Sequence, residues 1–270
     1  MDDDPLAPTH RPDTTAATLA LEASSARWLS LASTHNGVPI IRELTLELAG
    51  GQSYRNLEIH VRTEPEFTLP FVLRIDRLDP EGPRRFSNLA IRPNHQFFAE
   101  ITEAYEGTLY IEAVHEQQRV AAISMPIRLL PPEQWEGLHD LPEMLAAYIQ
   151  PNHPYIGKIL SKAAQALKRV GQPGFTGYQQ NSREVAGKQV AAIYAALREE
   201  HFGYINPPAS FHASGQRIRL PDQIGSERLA TCLDLAILFA ACLEQAGLHP
   251  LILLKKDHAW VGCWLEEAFS

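Results

Sequence analysis

Two residues near the end of the chain, Cys232 and His258, have the types and setting that acyl-transfer chemistry uses. Cys232 falls in Arg228-Leu229-Ala230-Thr231-Cys232-Leu233-Asp234-Leu235-Ala236, which reads as the first turn of a strongly apolar helix that stops at Gly247. At a helix N-terminus the unpaired N–H groups and the positive end of the dipole favour a thiolate. The same groups can receive the charge of a developing oxyanion. Twenty-six residues later, Asp257-His258-Ala259-Trp260-Val261 opens a strand with a histidine. With a period of two, His258, Trp260, Gly262 and Trp264 share one face, and Ala259, Val261, Cys263 and Leu265 share the core-facing one. A base on a strand facing a nucleophile on a helix N-terminus is the cysteine–histidine arrangement for attack on a carbonyl or carboxamide. Gln223, nine residues before the cysteine, is a candidate additional oxyanion donor. Taken singly, each residue has a plainer reading, since free cysteine packs readily in apolar helices. It is the pairing that points to chemistry.

The other two cysteines stand apart. Cys242 lies in the apolar run 238–243 and Cys263 on the core-facing side of its strand, so both read as packed side chains. A zinc site built from three cysteines and His258 would need Cys263 to face the same way as His258, which the strand period denies, so no metal and no cofactor is expected. Three clustered cysteines without a Cys-x-x-Cys spacing make no disulfide framework and fit a reducing cytosol. The formal net charge of −8 opposes strong nucleic-acid binding, and Arg84-Arg85 reads as a solvated turn. Met1-Asp2-Asp3-Asp4-Pro5 lacks the basic and apolar regions of a signal peptide. No apolar run approaches the ~20 residues of a membrane span. A cytoplasmic protein is expected, with no membrane partner. Neither a phosphate-binding loop motif nor a dinucleotide glycine motif occurs.

The elements that must carry the pair divide by period. Residues 1–15, acidic and with prolines at 5, 8 and 12, read as a disordered tail. From 16 to 130 the period is two. Leu44, Leu46 and Leu48 alternate with Glu43, Thr45 and Glu47, Leu57, Ile59 and Val61 with Glu58 and His60, and Leu109, Ile111 and Ala113 with Tyr110 and Glu112. With turn signals between them, about seven to nine short strands are expected, an antiparallel sandwich of immunoglobulin-like type with a short helix near 96–105. After Pro131-Pro132 the period becomes helical. Residues 132–150 carry Trp135, Leu138, Leu141, Leu145 and Tyr148 at threes and fours, and 155–170 repeats the pattern. These make a helical connector over 131–180. Ser182 is a candidate N-cap for a further helix, 209–227 reads as irregular, and two strands, 250–254 and 259–265, turn at Lys255-Lys256-Asp257. The fold class expected is α+β in two domains, with 181–270 holding the pair.

The segment 228–264, RLATCLDLAILFAACLEQAGLHPLILLKKDHAWVGCW, resembles the core of the transglutaminase-like superfamily. The matching pattern is a small residue before the cysteine, an apolar helix, a helix-ending glycine, a strand, then His-Ala-Trp-Val. The helix 182–200 and Tyr204-Ile205-Asn206-Pro207-Pro208 match the lead-in to that core. The resemblance implies a papain-like domain with Cys232 as nucleophile and His258 as general base. The family usually carries Gly where Thr231 and Asp257 stand here, and an acid further along orients its histidine. Only twelve residues follow His258, and among them Glu266 and Glu267 read as solvated charges. The third triad member is therefore expected beyond residue 270, and the chain is expected to be an N-terminal fragment of a longer polypeptide.

A wider likeness covers about residues 17–265 and includes Asn36-Gly37-Val38-Pro39, Leu73-Arg74-Ile75-Asp76-Arg77-Leu78 and GQRIRLPDQI at 215–224. It is similar to the N-terminal region of very large bacterial superfamily 1 helicases, which often end in a nuclease-like domain. That resemblance implies a role in antiviral defence, with downstream helicase and nuclease domains of the same polypeptide as partners. Two functions stay open. One is a cysteine protease or amide-modifying enzyme acting on a protein or peptide. The other is a catalytically inactive interaction or sensing module that regulates the downstream domains.

Overall fold

The computed structural model describes residues 18–51 and 53–267. The tail expected at 1–15 lies outside them. The chain is α+β and separates into two compact units, one up to Pro132 and one from Glu133.

The first unit is built from period-two segments. Its elements are β1 (Thr18–Ser25), β2 (Trp28–Leu29), α1 (Leu31–His35), β3 (Ile41–Ala49), β4 (Tyr54–Glu64), β5 (Phe71–Leu78), β6 (Arg84–Ser87), α2 (His95–Glu100), β7 (Tyr105–His115) and β8 (Gln118–Leu129). They form a three-stranded sheet in the order β1-β3-β6 and a five-stranded sheet in the order β2-β8-β7-β4-β5. All pairings are antiparallel except the two-residue parallel contact of β2 with β8. Leu44, Leu46, Leu57, Ile59, Leu109 and Ile111 are fully buried, so the alternating apolar residues of both sheets meet in one core.

The second unit carries Cys232 and His258. Its elements are β9 (Gln134–Trp135), a 3₁₀ turn (Pro142–Tyr148), α3 (Pro154–Arg169), α4 (Arg183–Glu199), β10 (Gly203–Tyr204), α5 (Phe211–Ser214), β11 (Gln216–Arg217), α6 (Pro221–Glu227), β12 (Leu229–Ala230), α7 (Cys232–Gln245), β13 (Pro250–Lys255) and β14 (His258–Cys263). Ser182 caps α4, its hydroxyl accepting from the Val185 N–H at 3.4 Å. Helix α7 ends before Gly247, whose φ of +75° suits the left-handed residue after a helix. Helices α3 and α4 pack on α7, with Ile159, Leu167, Ile193, Leu238 and Leu243 in a common core. The β13–β14 hairpin lies against the same helix. Residues 133–180 thus contribute to the unit that holds the pair.

Two local readings need correction. The threes-and-fours pattern over 132–150 is no long helix: it comprises β9 and a 3₁₀ turn that follows Leu141 in left-handed backbone (φ +53°). Trp135, Leu145 and Tyr148 are buried through tertiary packing, and the Tyr148 hydroxyl donates to the Gln134 carbonyl at 2.6 Å. The stretch 209–227, expected to be irregular, contains α5, β11 and α6. Among the described residues no helix is long and apolar enough to cross a membrane.

Candidate cysteine–histidine site

Cys232 is the first residue of α7, and the turn that presents it is closed by a reciprocal cap. The Thr231 hydroxyl accepts from the Asp234 N–H at 3.2 Å, and Asp234 Oδ2 accepts from the Thr231 N–H at 2.9 Å. Asp234 is wholly buried. Its Oδ1 accepts from the Arg219 N–H at 2.9 Å, and the Arg219 guanidinium donates to Oδ2 at 3.4 Å. Gln216, also buried, donates from Nε2 to the Thr231 hydroxyl at 3.0 Å. Its place follows from Gly215, where a Cβ would stand 1.9 Å from the Trp135 carbonyl oxygen.

The chain enters this turn along a parallel pairing of β10 with β12. The Gly203 N–H donates to the Arg228 carbonyl at 2.7 Å and the Ile205 N–H to the Ala230 carbonyl at 3.0 Å. Behind that pairing lies Glu200, whose buried carboxylate accepts from Lys162, from Arg228 and, at 3.0 Å, from the Tyr155 hydroxyl. Burial pushes the Glu200 carboxyl up, and those three hydrogen bonds outweigh it and hold the group below its ordinary value.

His258 opens β14 opposite Lys255, directly after a turn in which Asp257 takes φ +60°. Gly would fit that left-handed position most easily, and Asp is among the few side chains that visit it. Asp257 therefore makes the turn that a glycine would also make. The His258 ring is exposed and lies 5.6 Å from the Trp260 ring, tilted by 30°. Among the described residues none is hydrogen-bonded to the imidazole. The Glu266 carboxylate is taken by Arg183 at 2.7 Å, and Glu267 acts electrostatically on Tyr178.

Cys232 and His258 line one cavity of about 330 Å³, together with Tyr204, Leu235, Phe239 and Trp260. Cys232 is only 5% exposed. Tyr204, on β10, lines the same cavity: desolvation first, then its interaction with the Cys232 thiol, raise the phenol above its ordinary value. The positive end of α7 meets the thiol, the imidazole faces the same space, and a phenol donor sits beside them. That arrangement suits attack of the sulfur on an electrophilic carbon.

The remaining residues singled out from sequence fall elsewhere. Gln223 closes the first turn of α6, its Oε1 accepting from the Leu220 N–H at 3.1 Å, and it lines a separate cavity with Arg217, Arg219 and Glu227. Gln216 is the glutamine that reaches the cysteine turn. Cys242 is fully buried, and burial pushes its thiol up to about 12. Cys263 is half-buried, and its thiol donates to the Trp264 carbonyl at 3.2 Å. Burial raises the Cys263 pKa, partly opposed by a hydrogen bond with Tyr178. Among the described residues no three histidine, cysteine or acidic side chains are grouped closely enough to hold a metal ion.

Sequence reasoning gave no role to Tyr204, Gln216 or Asp234. Only Asp234 left a legible signal there, the Thr-x-x-Asp spacing of a capping box. No family model matches this chain, and neither do any of the curated proteins or solved structures.

Proposed function

We propose that the unit beginning at Glu133 is a transglutaminase-like, papain-like domain that attacks amide or carboxamide groups of a protein or peptide through Cys232, with His258 as general base. The observation that carries this reading is that the first residue of α7 and the first residue of β14 open into one cavity. In the reaction His258 takes the thiol proton and the sulfur bonds to the amide carbon. The carbonyl π pair moves to oxygen near the N-terminus of α7. Collapse restores the carbonyl and breaks the C–N bond, and the amine leaves with the proton returned by the imidazolium. Water or an amine then attacks the thioester, giving its proton to His258, and the thiol is released.

Iodoacetamide labelling followed by peptide mass mapping tests the proposal. Cys232 should label faster than Cys242 and Cys263, and His258→Asn should slow it by about 10- to 100-fold. If Cys232 labels no faster than Cys242, the proposal fails.

A second reading is a non-catalytic interaction or sensing module. It is favoured by the near-complete burial of Cys232 and by the absence of a hydrogen-bonded partner for His258 among the described residues. In either reading we take the first unit as an immunoglobulin-like docking or spacing sandwich, and downstream helicase and nuclease domains of a bacterial defence protein as partners. In a phage-challenge assay of the full-length protein, Cys232→Ala abolishes protection in the first reading and leaves it intact in the second.

A further inference from the structure

The cavity of Cys232 and His258 continues along α4 and α7 into a second one of about 280 Å³, and the two share Tyr194, Leu235 and Phe239. Cys232, Leu235 and Phe239 recur at threes and fours on α7, so one stripe of that helix floors both spaces. Tyr194, on α4, is about half exposed, and its ring stacks on Phe239 with centroids 6.4 Å apart. The far end changes character. Arg198, one helical turn beyond Tyr194, is exposed and makes no ion pair with any described residue, and His201 lies beside it.

We infer that this groove selects the substrate of the proposed cysteine chemistry: an extended peptide with a bulky apolar side chain next to the attacked bond and an acidic side chain further on. The inference rests on the reading of Cys232 and His258 given above. The apolar side chain lies against Tyr194, Leu235 and Phe239. Residues four apart on a helix are ~6 Å from each other, and an extended peptide rises ~3.3 Å per residue. The acidic residue that meets Arg198 therefore stands about two positions beyond the apolar one. A basic residue there would be repelled, so the groove discriminates by charge as well as by size.

Fluorescence anisotropy on the Cys232→Ala chain, which cannot turn over, tests the groove directly. The probe is a dye-labelled peptide amide with Phe followed two positions later by Glu. It should bind about tenfold more tightly than the same peptide with Ala for Phe. Tyr194→Ala should erase most of that difference, and Arg198→Glu should reverse a preference for Glu over Lys. Both side chains are exposed, and an unchanged thermal melt confirms that each variant folds. Equal affinity for the Phe and Ala peptides, or no binding of either, overturns the inference.

Iodoacetamide labelling of otherwise wild-type protein separates this result from the chemistry. Normal labelling of Cys232 beside unselective binding sinks the groove and spares the nucleophile. Selective binding beside an inert Cys232 sinks the nucleophile and upholds the groove as a peptide-binding site.

Discussion

Where Cys232 enters α7, Thr231, Asp234, Gln216 and the Arg219 backbone are tied together by hydrogen bonds, and all but Arg219 are buried. Where His258 enters β14, the ring is exposed beside Trp260 and has no hydrogen-bond partner among the described residues. One end of the site is held by a network of buried hydrogen bonds in which each lost partner strands another, with only the Gln216 Oε1 lacking a partner among its members. The other is held by strand register and the left-handed turn at Asp257. The position of Cys232 is thus built into the fold, whereas the exposed His258 ring can turn about its own side-chain bonds. Substitutions at the two ends should accordingly separate stability from reactivity.

The largest effect is expected at Asp234. Asp234→Ala leaves the buried Thr231 N–H and the partly buried Arg219 N–H without acceptors and should cost about 3 kcal/mol. Asp234→Asn keeps one acceptor oxygen and should recover part of that. Urea denaturation followed by circular dichroism measures both, and a loss for Ala below about 1 kcal/mol would show that the cap does not fix the turn.

Next comes Glu200, which steadies the strand leading to Cys232. Replacing its charge-assisted hydrogen bonds in Glu200→Gln should cost about 2 kcal/mol at neutral pH. The carboxyl lies below its ordinary value of 4.5 in the fold. The unfolded chain therefore binds the proton more readily, so the stabilisation is present above 4.5 and fades as pH falls toward and through the lower folded value. The urea midpoint of the wild type should drop on acidification more than that of Glu200→Gln. Parallel midpoints across that range would remove Glu200 from the support of the cysteine turn.

Much of this contrast was legible in the residues, and the illegible part has a common cause. The alternation through Leu44, Leu57 and Ile111 marks strands because each residue has one face to bury, and those side chains are fully buried. Cys232 and His258 stood out because an apolar helix ending at a glycine and a hairpin strand are local patterns. Tyr204 did not, since it reaches the cysteine only through the pairing of β10 with β12, a contact between segments 26 residues apart. Gln216 and Gln223 share one short segment, and what separates them is the pairing of Gln216 with Trp135, 81 residues away. Residues 132–150 misled for a related reason: their apolar spacing serves tertiary packing around a short strand and a 3₁₀ turn.

Thr231 is expected to matter less than Asp234 because removing its hydroxyl leaves the Asp234 carboxylate and its remaining donors in place. Thr231→Ala should cost about 1 kcal/mol, the usual value of an N-cap. Gln216, whose Nε2 loses its acceptor in that variant, is buried. The loss should therefore exceed that of Ser182→Ala on α4, where the N-cap hydroxyl accepts only from the Val185 N–H, at 3.4 Å. Equal losses at the two caps would mean that Gln216 finds another partner.

His258 closes the comparison with the smallest expected effect on stability. Its ring is exposed, so His258→Ala should change the stability measured in urea by no more than about 0.5 kcal/mol. Reactivity should move in the opposite sense. Without the imidazole Cys232 loses its proposed base, and labelling at neutral pH should slow while the rate in strong alkali, where hydroxide takes the proton, stays close to wild type. A large stability loss would show that the ring is part of the packing, and an unchanged neutral rate would show that it is not the base. Only small destabilisation together with a selective loss of neutral-pH labelling fits a nucleophile fixed by the fold and a base placed at its margin.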